Sequence, residues 1–410
     1  MTVTLADISA AAKALEGHIV RTPTVPAPGL SAELGCDLRL KLETQQHTGS
    51  FKPRGAFVKI QSLGEGQRRA GVIAMSAGNH AQGVAFWAGR LGIPAVIVMP
   101  KATPFSKVER TRSFGAKVEL HGANLSEAAE HAEKLSSRDE LTFVHPYDDP
   151  HVIAGQGTLA LEMLADAPDL DCLVIPIGGG GMASGIAVAA KALKPGIEIV
   201  GVQAKLYPSM AQALANQPPT SGGDTLAEGI AVKAPGRITR EIIRKHVSEI
   251  LLLDESAIED AVQNLAESQK LVAEGAGAAG VAAIHTNSAR FRGRCVGTVI
   301  CGGNIDSRML ASVLMRGLVR DGRMARIRVE LSDAPGQLAA VATLIAAAGG
   351  NIVESYHQRL FQDVPIKHAE LDVVIETRNL DHVHEILDRL RDAGFPPRLL
   401  SVNKEAGAVL

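Results

Sequence analysis

Lys52 stands between Phe51 and Pro53 in the run HTGSFKPRGAF, residues 47–57, among small and hydroxylic residues. Most lysines are solvated surface charges. An amine with an aromatic neighbour on one side and a proline on the other has a constrained stem, which suits a covalent catalyst that forms an imine with a carbonyl compound. A second group is IPIGGGGMASG, residues 175–185, where Gly178, Gly179, Gly180 and Gly181 separate a strand-like run from a helix-forming segment starting at about Met182. Glycines let a backbone approach an anion, and the free N–H groups and dipole of a helix start stabilise its charge. The run predicts a phosphate cradle; a flexible loop is the plain alternative.

Two further turns carry polar groups. In MSAGNHAQG, residues 75–83, the residues Ser76, Ala77, Gly78, Asn79 and His80 join a strand to a helix. Their amides can hold a substrate carboxylate, or simply cap the helix. In ICGGNID, residues 300–306, Cys301 ends a strand before two glycines. A buried cysteine is by default a small hydrophobe, but here it can also face a heteroaromatic nitrogen.

A reactive lysine with a monophosphate cradle points to pyridoxal phosphate, whose aldehyde links to an amine and whose ring accepts electrons. A dinucleotide site is the rival, because Gly178, Gly180 and Ala183 fit the spacing of that fingerprint. Such a site wants an acidic residue about 20 positions on. The next strand, EIVGVQ, ends instead in Gln203, which weakens the rival without removing it.

The elements that must position these turns read as α/β. Short apolar runs alternate with small-residue helical patterns: GVIAMS then AGNHAQGVAFWAGRLG, AVIVMP then TPFSKVERTRSFG, AKVELHG then NLSEAAEHAEKLSSR, DCLVIPI then ASGIAVAAKALKP. Continuous apolar strands between helices predict a parallel sheet covered on both faces. Near residue 320 the pattern changes. After the basic stretch MRGLVRDGRMAR, read as a connector, come strand IRVEL, a DAPGQ turn, helix LAAVATLIAAAG, strand-like NIVESYHQRLF and AELDVVIET, and helix DHVHEILDRLRDAG. That β-α-β-β-α order predicts a ferredoxin-like module over residues 325–410, behind a catalytic body over 1–320 whose smaller subdomain spans about 50–150.

The chain has 410 residues, 46% hydrophobic and 21% charged, with a formal net charge of -2. No global field draws it to nucleic acid or to an anionic membrane. The N-terminus reads as an amphipathic helix and lacks the layout of a secretory signal. Its apolar runs stay below the roughly 18 residues that span a bilayer, so a cytoplasmic protein is expected. Cys36, Cys172, Cys295 and Cys301 show no CxxC spacing, which argues against a zinc site or a disulfide framework.

SFKPRGA, SAGNHAQG, DDPHVIAGQGT, GGGGMASG and CGGNID, in this order, resemble the fold-type II (tryptophan synthase β-like) pyridoxal-phosphate enzymes and, within them, the threonine dehydratases, or threonine ammonia-lyases. The last 85 or so residues resemble an ACT domain, a regulatory module that commonly binds amino acids. The resemblance implies a covalent link between Lys52 and the cofactor, with Phe51 packed on the ring. It implies that Asn79 bonds the ring hydroxyl, that Gly178 to Met182 hold the phosphate, and that Cys301 sits beside the ring nitrogen. A neutral thiol there cannot keep the nitrogen protonated as a carboxylate does, so elimination competes well against transamination. The implied reaction is loss of water and ammonia from L-threonine to give 2-oxobutanoate, or from L-serine to give pyruvate. A branched-chain amino-acid effector at the ACT domain, a place in isoleucine synthesis and a dimer or tetramer are further expectations.

Departures from the relatives sharpen these expectations. Serine racemases of this fold carry a proton-donating serine where this chain has Ala77. Many relatives bind a divalent cation beginning with a glutamate where this chain has Gln203, followed by Tyr207 and Ser209. Hard cations want charged oxygen ligands, so no metal is expected there. His80, His145 and His151 lack metal-ligand spacing and read as structural groups. Glu274, in LVAEGAGAAG, either lines the cleft or ends a helix at the surface. A dehydratase or racemase for another β-hydroxy amino acid, such as serine or 3-hydroxyaspartate, is the alternative.

Overall fold

The computed structural model describes residues 3–358 and 367–400. The chain divides into two compact units, residues 1–305 and 306–410. The first holds two sheets. In the larger, six strands lie in the order Thr24–Pro26, Asp37–Leu42, Cys295–Ile300, Cys172–Pro176, Glu198–Ala204 and Glu249–Leu253. All pair in parallel except the first, which runs antiparallel to its neighbour. Strand Cys172–Pro176 is buried along its whole length, as a strand covered on both faces must be.

The smaller sheet is wholly parallel, in the order Lys117–Leu120, Ala95–Met99, Val72–Met75 and Thr142–Phe143. Amphipathic helix Leu125–Arg138 covers part of it with Ala128, Ala132 and Leu135. The turns singled out by their chemistry follow Met75, Pro176 and Ile300, each the last residue of a parallel strand. Open parallel sheets collect ligand groups at their carboxyl ends, and the order of strands brings these turns into one region.

The second unit opens with helix Ser307–Arg320 and continues as β-α-β-β-α-β. Its antiparallel sheet has the order Asn351–Gln358, His368–Glu376, Met324–Ser332, Pro397–Leu399. Alternation on Met324–Ser332 buries Ala325, Ile327, Val329 and Leu331 against Val341, Ile345, Val383 and Ile386 of helices Gln337–Ala347 and Leu380–Asp392. Two sequence readings are corrected. The stretch taken as a polar connector is the end of one helix and the beginning of a strand, because Met315, Leu318, Val319 and Met324 give its arginines an apolar complement. A final strand, Pro397–Leu399, completes the sheet; three residues were too short to show a period. The part of the strand-like run at 359–361 lies outside the described residues.

Candidate active site

Helix Lys52–Gln61 begins at the lysine itself, with Pro53 in its first turn, where a missing N–H costs nothing. The residues before it are tied to the loop after strand Cys295–Ile300. Phe51 N–H donates to Cys301 O at 3.0 Å, Gly303 N–H to Gly49 O at 2.9 Å, and Asn304 Nδ2 to Thr48 O at 3.0 Å. The helix is then held from two sides. Trp87 Nε1 donates to Pro53 O at 2.9 Å, and a Cβ on Gly155 would lie 2.7 Å from both Arg54 O and Gly55 Cα.

Arg54 is fully buried and bidentate to Glu43, Nε to Oε2 at 2.9 Å and Nη2 to Oε1 at 2.8 Å. Its Nη1 donates to Glu162 Oε1 at 2.6 Å, and buried Lys41 donates to Glu162 Oε2 at 2.6 Å. This network of two cations and two carboxylates anchors the helix two residues beyond Lys52. The Lys52 amine donates to Pro146 O at 2.9 Å and lies 5.1 Å from the Phe51 ring centre. Burial pushes it down to about 8, against the opposing pull of Glu274.

Ser76, Ala77 and Gly78 form the turn between strand Val72–Met75 and helix Asn79–Arg90. Ser76 Oγ accepts from Gly78 N–H at 3.1 Å. The N–H groups of Ala77, Asn79 and His80 find no acceptor among the described residues. The His80 ring is buried and its Nε2 donates to Val144 O at 2.8 Å, so only the backbone of His80 is available to the turn. Asn79 Nδ2 donates to Glu274 Oε1 at 2.6 Å, and Asn79 Oδ1 accepts from Asn304 Nδ2. Glu274 is both the residue before helix Gly275–Thr286 and a member of the cleft. Burial pushes its carboxyl up to about 7.

The glycine run has the backbone geometry of a cradle. Gly180 has φ +98°, and a Cβ there would lie 2.8 Å from Thr239 Cβ, so only glycine fits. The N–H groups of Gly178 through Ala183 have no acceptor among the described residues, and the helical ladder starts with Ser184 N–H on Gly180 O at 2.8 Å. Met182 is buried and offers the cradle its N–H. Thr239 Oγ1 donates to Gly179 O at 2.7 Å, and Tyr147 packs its ring on Gly179 and its backbone and Cβ on Gly181. Cys301 Sγ donates to Ala276 O at 3.4 Å, and burial pushes its thiol far above the ordinary range, leaving it neutral. Free amides for a phosphate, an amine for an aldehyde, an amide N–H for a ring oxygen and a neutral thiol are a donor set that fits pyridoxal phosphate.

Several groups of the site were not legible beforehand. No sequence motif assigns a role to the Pro146 carbonyl, the Tyr147 ring or Asn304. His145 Nδ1 accepts from Asp148 N–H at 2.8 Å and shapes the turn that presents Pro146 O. His151 keeps no place in the cleft on the hydrogen bonds seen; its N–H is capped by Asp149. Buried Gln203 spends its amide internally: Nε2 donates to Ile177 O at 3.2 Å, and Oε1 accepts from Met210 N–H at 3.1 Å and Ala211 N–H at 3.0 Å. Among the described residues, Asp37, Asp169 and Cys295 cluster as metal ligands would, but the Arg39 guanidinium already pairs with both carboxylates. No helix among the described residues is long and apolar enough to cross a membrane.

The family model described as pyridoxal-phosphate dependent enzyme matches residues 15–302. The L-threonine ammonia-lyase of Thermotoga maritima is 44% identical over 400 residues, covering 97% of this chain and 100% of that protein. The catabolic L-threonine dehydratase TdcB of Staphylococcus aureus is 42% identical over 322 residues, 77% of this chain and 93% of that one. Among solved structures, maize serine racemase superposes with a TM-score of 0.73 at 32% identity, covering 78% of this chain and 98% of the racemase.

Proposed function

The chain belongs to the pyridoxal-phosphate dependent enzymes, and on that premise we propose that it is a carbon–nitrogen lyase deaminating L-threonine to 2-oxobutanoate and ammonia by elimination of water. L-Serine, giving pyruvate, is its second substrate. The likeness over nearly the full chain to a threonine ammonia-lyase supports the substrate. The observation that carries the reaction class is the neutral Cys301 thiol sharing the cleft with the Lys52 amine.

When bound, the cofactor supplies an aldehyde for covalent attachment and an electron sink for the substrate's α-carbon. The chain's residues do the rest. Lys52 would hold the cofactor covalently and would take the α-proton at Nζ; a value of about 8 suits a base working near neutrality. Pro146 O orients that amine. The N–H groups of Gly178, Gly179, Gly180, Gly181 and Met182 would bind the phosphate, Phe51 would pack on the ring, and the second N–H of Asn79 Nδ2 would bond the ring oxygen. The turn Ser76, Ala77, Gly78, Asn79 and His80 receives the substrate carboxylate on its N–H groups. Cys301, neutral, would sit beside the ring nitrogen without protonating it, which favours elimination over transamination. Ala77 places a methyl group where racemisation needs a proton donor, so the racemase reading lacks its acid.

The second unit is read as an ACT domain. Asp333, Pro335 and Gly336 form the turn into helix Gln337–Ala347, and Asn351 opens the next strand after two glycines. A small amino acid, isoleucine or valine, is the effector proposed for these turns, in a homo-oligomer. Control by isoleucine would assign the enzyme to its synthesis; its absence would favour the degradative role that the name of the Staphylococcus aureus relative carries. The substrate is tested by measuring 2-oxo acid release from L-threonine, L-serine and 3-hydroxyaspartate side by side. Faster turnover of 3-hydroxyaspartate than of threonine would overturn the assignment.

A further inference from the structure

The amides around Asn79 can be oriented by elimination. Asn304 Nδ2 lies 3.0 Å from Thr48 O, and a carbonyl only accepts, so the atom facing it is the amide nitrogen. The second hydrogen of that nitrogen reaches Asn79 Oδ1. The other end of the Asn79 amide is therefore nitrogen, and one of its hydrogens goes to Glu274 Oε1 at 2.6 Å. One Nδ2 hydrogen is left, with its direction fixed by the other bonds.

We propose that Glu274 is a positioning residue for the reaction: it fixes the Asn79 carboxamide so that the remaining N–H meets the cofactor's ring oxygen. This rests on the assignment of pyridoxal phosphate to the cleft. Three observations carry it. Glu274 N–H donates to Gly302 O at 3.0 Å, which ties the carboxylate's backbone to the Cys301 loop. A Cβ on Gly302 would lie 2.3 Å from Glu274 Oε1 and 3.0 Å from Asn79 Nδ2, so the glycine leaves the gap in which the two side chains meet. The helix Gly275–Thr286 begins directly after Glu274, which sets its stem rigidly.

The charged groups that face Glu274 come from several elements. Lys52 and Lys107 favour its ionised form, Glu228 opposes it, and burial outweighs them to bring the carboxyl to about 7. Lys107 is itself paired with Glu228 at 2.5 Å, and Cys301 is neutral. Glu274 therefore changes charge near neutrality, and its anion raises the affinity of the lysine nitrogen for a proton.

The test uses the full-length holoenzyme and two variants, read by absorbance of the bound cofactor against pH and by cofactor dissociation. Glu274→Gln keeps an acceptor for Asn79 but not the charge. It should retain cofactor affinity within about threefold while the spectral midpoint falls by about one pH unit, the shift a nearby opposite charge gives. Glu274→Ala removes both and should weaken cofactor binding about tenfold or more, because a half-buried amide donor loses its partner. A Glu274→Ala protein that binds cofactor as tightly as wild type, or a Glu274→Gln protein that loses as much affinity as Glu274→Ala, would overturn the inference alone. A wild-type protein that takes up no pyridoxal phosphate would overturn the cofactor assignment and the inference with it.

Discussion

A methyl group at Gly83 would sit 3.1 Å from the carbonyl carbon of Lys52, so the helix that carries the Asn79 turn rests on the backbone of the lysine. The other side of the lysine helix meets Gly155 more closely still, at 2.7 Å from Arg54 O. Gly83→Ala should cost about 1–3 kcal/mol through overpacking against backbone, and Gly155→Ala should cost more. Thermal unfolding of the two variants checks the order. A Gly155→Ala protein as stable as wild type would show that these helices do not cross as described.

Arg54 tests what holds the lysine helix. Glu43, Arg54 and Lys41 are wholly buried and Glu162 is nearly so. Arg54→Met leaves Glu43 without its cation and should cost about 3–5 kcal/mol, whereas Arg54→Met with Glu43→Leu removes one complete pair and should recover a large part. Denaturant midpoints of both variants decide it. A double variant no more stable than the single one would mean that packing, not the uncompensated charge, sets the cost.

His80 predicts the acid limb of stability. Burial, with repulsion from Lys52, pushes its imidazole down from the ordinary 6.5 to about 3. Between those values the unfolded chain binds a proton that the folded chain refuses. Its contribution is therefore intact above about pH 6.5 and is lost as pH falls through that window, by up to about 1.4 kcal/mol per unit. His80→Gln should flatten the dependence of stability on pH between 6 and 4 relative to wild type. Parallel curves would assign the acid limb to other groups.

What could be read beforehand follows from how locally each feature is encoded. Lys52, Gly178–Gly181, Ser76–Asn79 and Cys301 sit in short runs whose small residues are visible locally, and the alternation of apolar strands with helices from about residue 70 marks most strands of both sheets but not Thr24–Pro26, Asp37–Leu42 or Thr142–Phe143. The partner of the Lys52 amine was hidden because it is a backbone carbonyl, Pro146 O, and a carbonyl has no residue type. Arg54 finds its carboxylates 11 and 108 positions away, a pairing that no spacing rule reveals. Glu274 meets Asn79 across 195 positions, so its place in the cleft depends on the strand order of the larger sheet. The stretch 315–326, inside the second unit, reads as a polar connector because its arginines outweigh an apolar face that only the helix makes apparent.

The turn at Gly336 gives the effector proposal its sharpest form. Gly336 has φ +87°, a conformation that a β-branched residue enters only with strain. If isoleucine or valine binds there, it should change the apparent affinity for threonine by about 5–150-fold in the full-length protein. Gly336→Val should blunt that response and leave basal turnover in place. Superimposable threonine curves with and without both amino acids would reject regulation by these ligands.

The central claim is that one amine, Lys52, both holds the cofactor and moves the α-proton. Release of 2-oxobutanoate from L-threonine by wild-type and Lys52→Ala protein, each supplied with pyridoxal phosphate, measures it most directly. The account predicts steady release by wild type and a loss of at least about a thousandfold in the variant, since a covalent attachment and a general base disappear together. A Lys52→Ala protein retaining a tenth or more of wild-type turnover, by the roughly tenfold margin that corresponds to about 1.4 kcal/mol of barrier, would contradict it.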